Sequence, residues 1–170
     1  MEKRWKDLIW SQFDAAIVML DNGIRACPEE LWADRSYRPE VWYMMYHTLF
    51  FLDCYLSGSL ENFTPPAPFN LDELDPAGIL PDRVYTKEEL QSYLGHGRIK
   101  CKQTIDALTE ETAHKRCGFD WLDLSVAELL LYNMRHVQHH AAQLNLILRQ
   151  HQQHVPRWVK KATGSIKHDL

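Results

Sequence analysis

Residues 57–85, SGSLENFTPPAPFNLDELDPAGILPDRVY, hold five prolines and no sustained hydrophobic period. A stretch of this kind is a connection, and it is far longer than the few residues that join neighbouring antiparallel helices. It predicts an end-to-end crossover, which leaves the helices before and after it parallel.

The helix before it opens at Pro39, suited to a first helical position, and continues through EVWYMMYHTLFFLDCYL towards Gly58. It is apolar nearly all round, so it is either buried on several sides within one chain or keeps one side for a second subunit. The helix after it begins at Thr86, where Glu89 completes a capping box, and runs to about Leu108 with Gly95 and Gly97 as a weak point. Upstream, Leu8, Ile9, Phe13, Ala16, Ile17, Leu20 and Ile24 form the apolar stripe of a helix from about Lys3 to Arg25. Downstream, Ser125 and Glu128 repeat the capping arrangement on a helix that reaches about Gln150, and Pro156 stops any continuation. Alternating strand patterns are missing, so the chain is expected to be all-α, a four-helix bundle with its long crossover between helices two and three.

At 170 residues, one domain spanning 1–170 is expected, with 45% hydrophobic and 25% charged residues marking a globular chain. The apolar run around Met44 to Leu52 is too short to span a bilayer, and MEKRWKDLIW lacks the apolar core of a secretory signal. An intracellular, cytoplasmic protein with no membrane partner is the expectation. Cys27, Cys54, Cys101 and Cys117 lie far apart without a C-x-x-C pair, which argues for separate reduced thiols over a zinc cage or disulfide framework. A formal charge of -4 and a pI near 6.1 argue against nucleic acid as partner, although PRWVKKATGSIKHDL is locally basic and reads as solvated surface.

The last helix carries NMRHVQHHAAQLNL, residues 133–146. Its inward face is expected to be Val126, Leu129, Leu130, Asn133, His136, Val137, His140, Gln143, Leu144 and Ile147, so two histidines interrupt a core stripe. Residues four apart on a helix have β-carbons roughly 5–6 Å apart, so His136 and His140 can aim at one point, whereas His139 falls about 100° away from His140. Burying imidazoles among leucines costs free energy unless each polar nitrogen finds a partner, and a divalent ion satisfies both. His47 is the best third ligand, because Tyr43, His47, Phe51 and Cys54 share a face of the most apolar helix. Three neutral imidazoles leave a metal its full charge and an open position, where bound water reaches a pKa of roughly 7 or a thiolate takes its place. The plain alternative is a pair of hydrogen-bonded core histidines and an unrelated His47.

Other chemistries fit less well. ETAH, Glu111 to His114, is a lone E-x-x-H near a helix end, unlike the paired motifs of a di-iron bundle. There is no H-E-x-x-H, no phosphate-binding glycine loop and no G-x-S-x-G elbow. His96, His151, His154 and His168 read as surface, and Trp121 and Trp158 as packing anchors.

His47 in WYMMYHTLFFLD, HVQHHAAQL beside H-x-x-H-H-R-G-Q-L, and GFDWLDLSVAELL leading into the last helix together resemble the DinB-like superfamily, over most of the chain. That superfamily comprises metal-dependent hydrolases and thiol-dependent transferases. The resemblance implies a four-helix bundle of up-down-down-up topology, often dimeric, with a metal triad falling on His47, His136 and His140. Gln143 matches the motif's glutamine. Ala141-Ala142 stands where Arg-Gly is common, which spares the ligands but removes any substrate contact the arginine would make. For an all-imidazole site, zinc or nickel is favoured.

Two functions follow. One is a metal-dependent enzyme, a thiol S-transferase or hydrolase acting on a small substrate, with a low-molecular-weight thiol as a candidate partner. Asn133 and Gln143 are then candidates for orienting substrate or metal-bound ligand, and Tyr43 for donating a proton, though the plainer reading of each is a supporting or core role. The other is a non-catalytic, stress-associated metal-binding protein. DNA association fits the acidic balance least, and a homodimer is expected from the apolarity of the second helix.

Overall fold

The computed structural model describes residues 2–61, 63–78, 80–151 and 155–162, so His154 and His168 lie outside the described residues. Six α-helices follow one another: α1 (Lys3–Ala26), α2 (Glu29–Trp32), α3 (Val41–Leu56), α4 (Lys87–Ala107), α5 (Glu110–His114) and α6 (Val126–His151). Among the described residues there is no strand, only isolated bridges pairing Ser59 with Gly118 and Arg116 with Ser125. No described helix is long and apolar enough to cross a membrane.

The four long helices pack as a bundle in which α1 and α3 each lie against both α4 and α6. Along α1 and α4 the contacts run from Lys6 with the Asp106 carbonyl, through Asp14 with Arg98, to Asp21 with Gln91. Along α3 and α6 they run from Tyr55 with Tyr132, through Phe51 with His136, to His47 with His140. The core between them is built on Phe13, Ile17, Leu20, Met45, Tyr46, Leu49 and Phe50, with Leu144 and Leu148 from α6.

Both expected capping boxes are present. Thr86 accepts from the Glu89 amide while Glu89 accepts from the Thr86 amide, and Ser125 and Glu128 exchange the same pair of bonds at the start of α6. The helix expected from Pro39 begins two residues later, because Glu40 is extended and serves as the N-cap, its carboxylate accepting from the Trp42 indole at 2.9 Å. The short helices α2 and α5 carry too few turns to announce themselves by periodicity.

Gly97 is not a weak point. A β-carbon there would lie 2.9 Å from Leu52 Cδ2, so the missing side chain is what lets α4 close on α3. Gly23 makes the matching notch in α1, where a β-carbon would meet Leu144 Cδ2 of α6 at 2.8 Å.

The inward face of α6 differs from expectation at its C-terminal half. Gln143 is exposed, and Ala141 and Leu148 are buried instead. The helix is wedged between α1 and α3, so its buried stripe follows Leu130, Asn133, Val137, Ala141, Leu144 and Leu148. The apolarity of α3 is consumed within one chain, since the crossover lays Phe63, Phe69 and Tyr85 over it and Phe69 stacks on both Tyr46 and Tyr93.

Candidate metal centre

His47 projects from the middle of α3, and His136 and His140 from successive turns of α6. One ligand atom from each lies within 4.8 Å of the others. His136 Nε2 and His140 Nε2 are 3.1 Å apart, and the His47 ring centroid is 5.4 Å from His136 and 5.3 Å from His140. All three side chains are half-buried, walled on one side by Phe51 and Tyr55, whose rings meet His136 edge-on.

The outer nitrogens are held in a way that frees the inner ones. His47 Nδ1 donates to Glu73 Oε2 at 2.7 Å, and His140 Nδ1 donates to Gln143 Oε1 at 2.7 Å. A ring that donates from Nδ1 carries its lone pair on Nε2, the tautomer a metal ligand needs. His136 is the exception, because its Nδ1 is buried without a partner. Burial, aided by the neighbouring imidazoles, pulls His136 down to about 3. Burial does the same to His140, lowering it to about 4 against the opposing pull of the Gln143 hydrogen bond. Both are therefore neutral at physiological pH, as ligands must be.

These residues fit a divalent ion. Zinc–nitrogen bonds of 2.0–2.1 Å place tetrahedral ligand nitrogens roughly 3.3 Å apart, close to the observed His136–His140 spacing. Without an ion the pair is joined by one hydrogen bond, His136 Nε2 donating to the His140 Nε2 lone pair, and an ion would take both nitrogens in its place.

Glu73 was not legible as a site residue. It sits on a single 3-10 turn, Asp72–Leu74, inside the crossover, and its side chain is only 3% exposed. Besides His47, its carboxylate acts on the nearby Tyr43 hydroxyl, and its Oε1 has no partner. One acidic residue among three in LDELD carries no periodic signal, and only the folded loop singles it out.

The remaining candidates are placed as follows. Tyr43 lies near Glu73, and burial together with that carboxylate raises its pKa well above the usual phenol range. Asn133 is buried one turn before His136, where its Nδ2 donates to the Leu52 carbonyl at 3.0 Å and ties α6 to α3. Gln143 is the hydrogen-bond partner of His140. His139 is exposed on the flank. His96 is also exposed, though its Nε2 comes within 3.5 Å of Asp53. The four cysteines are buried and unpaired, with burial pushing the Cys27 thiol up to about 11 and Cys54 up to about 12.

Residues 12–144 match the DinB superfamily. The chain belongs to that superfamily, and this membership together with the three-histidine cluster is compatible with metal binding. No curated protein and no solved structure matches it.

Proposed function

We propose that this protein is a divalent-metal-dependent enzyme, a thiol S-transferase or hydrolase that acts on a small substrate in the cytoplasm. The observation that carries the reading is the convergence of His47, His136 and His140 with Glu73 and Gln143 behind two of them. Zinc or nickel, when bound, supplies the Lewis acidity that makes a thiol or water nucleophilic near neutral pH.

The chain's own residues do the rest. His47, His136 and His140 hold the ion. Glu73 fixes the tautomer and ring plane of His47, and Gln143 does the same for His140. Asn133 sets the height of α6 against α3, which brings the two ligand-bearing helices into register. Phe51 and Tyr55 keep one flank of the site apolar. No cysteine serves as nucleophile, since each is buried, so the attacking thiol or water comes from solution. The up-down-down-up course of the bundle belongs to the same reading, supported by the order of contacts along α1 with α4 and α3 with α6.

The test is metal content of untagged protein, wild type against His47→Ala. About one zinc or nickel per chain, lost in the variant, is expected. Folded protein that refuses both metals would return the three residues to core histidines. With metal established, a screen for thiol transfer and hydrolysis follows.

The alternative is a non-catalytic, stress-associated metal-binding protein. It is favoured by the burial of Asn133, whose Nδ2 is spent on the Leu52 carbonyl, and by the engagement of Gln143 Oε1 with His140. In cobalt-substituted protein, an absorption change on adding a small thiol supports the enzyme, and an inert spectrum supports the alternative. A homodimer remains part of the proposal, and light scattering at micromolar concentration tests it.

A further inference from the structure

The side of α6 that faces α1 carries a hollow of about 310 Å³. Met19 of α1, Gln138, Asn145, Leu146 and Arg149 of α6, and Trp158 from the segment beyond α6 line it. It shares Gln138 and Ala142 with a second hollow that reaches His136, while its far wall, at Arg149 and Trp158, lies more than two turns beyond His140.

Its walls combine fixed position with unused bonding capacity. Trp158 is 66% exposed and Leu146 57%, so neither is the packing anchor that a large apolar side chain ordinarily becomes. Yet the segment bearing Trp158 is tied down. Gln12 donates to the Lys160 carbonyl at 3.3 Å, and the Ala162 amide donates to the Ser11 carbonyl at 2.9 Å. Arg149 is exposed and has no ion pair among the described residues. Asn145 Oδ1 is buried without a hydrogen-bond partner, and the Gln138 amide has only a 3.7 Å contact with Met19 Sδ. An apolar floor, an aromatic wall, the Gln138 amide and a guanidinium unpaired among the described residues are the ingredients of a small-molecule pocket.

We propose that this hollow binds a small aromatic carboxylate. The ring packs between Trp158 and the Leu146 and Met19 side chains, and the carboxylate takes the two-pronged guanidinium of Arg149. Gln138 orients the ligand's polar edge. A carboxylate is favoured over a phosphate because one cation faces a largely apolar surface, with no ring of backbone amides. The volume suits about one or two fused rings, at the small end of ligand pockets. None of this depends on the metal.

The experiment is calorimetric titration of the full chain with naphthoate, and with uncharged naphthamide in parallel. Naphthoate is expected to saturate with a Kd below about 1 mM. Trp158→Ala and Arg149→Gln each weaken it by roughly tenfold or more, and naphthamide binds wild type as weakly as naphthoate binds Arg149→Gln. Both positions are exposed, and circular dichroism verifies that the variants fold. His47→Ala leaves naphthoate binding unchanged, so failure of the metal reading and failure of this one are separate results. Non-saturating binding, or binding that survives both substitutions, overturns the proposal. Loss in Trp158→Ala alone overturns the carboxylate assignment.

Discussion

Helix α3 carries two polar clusters on different sides, and they are treated in opposite ways. Towards α4, Asp53 is fully buried and completely provided for. Its carboxylate meets the Lys100 ammonium and accepts from the Tyr93 hydroxyl at 3.2 Å, while Lys100 also reaches the Asp53 carbonyl at 3.0 Å and Ser57 Oγ at 2.7 Å. Towards α6, His47 meets two imidazoles whose nitrogens face one another, and His136 Nδ1 has no partner at all. The first cluster is closed within the chain. The second has lone pairs left over, and leftover bonding capacity in a half-buried place is what marks a binding site.

The sharpest way to break this contrast is to remove one histidine. His136→Leu is expected to abolish zinc uptake while leaving the urea stability of metal-free protein within about 1 kcal/mol of wild type, since an imidazole with an orphaned nitrogen gives way to an apolar group. A large loss of stability would make the triad a structural cluster like that around Asp53. Lys100→Met is expected to do the reverse, costing about 3 kcal/mol in urea unfolding with zinc content unchanged, because Asp53 is left as an uncompensated buried charge. A cost near zero would mean that the two sides of α3 do not differ.

Smaller effects sharpen the comparison. Glu73→Gln keeps the shape of the side chain but replaces the carboxylate behind His47, and competition with a chelator should register a roughly 10- to 100-fold loss of zinc affinity. Unchanged affinity would reduce Glu73 to a packing residue.

The acid limb should be the mildest signature. In metal-free protein, His136 is held down to about 3 and His140 to about 4, while the unfolded chain titrates near 6.5. Between those values the unfolded state binds more protons, so stability falls as pH drops from about 6.5 towards 4 and is unaffected by these residues above 6.5. His136→Leu should flatten that limb in urea midpoints measured across the range, and an identical slope in both proteins would contradict the assigned burial.

Much of this was legible beforehand, for physical reasons that differ by element. The long helices announce themselves because amphipathic periods and capping boxes are local, and Thr86 with Glu89 and Ser125 with Glu128 need only their own backbone. His136 and His140 were readable from helical spacing, and His47 from the resemblance to the superfamily and its place on an apolar helix. Glu73 was not, because its role depends on where a non-periodic loop comes to rest. Gln143 was assigned to the inward face because the reading assumed a stripe centred between the histidines. The close approach of α1 at Gly23 rotates that stripe towards Ala141 and Leu148.

The two glycine notches have a bearing on the site itself. Gly97 receives Leu52 and Gly23 receives Leu144, and those leucines belong to α3 and α6, the helices that carry the ligands. Each notch works like a detent, seating one ligand-bearing helix at a single depth against a partner helix that supplies no ligand. The spacing of His47 from His136 and His140 is thus gauged from outside the site, by two positions that contribute no side chain at all.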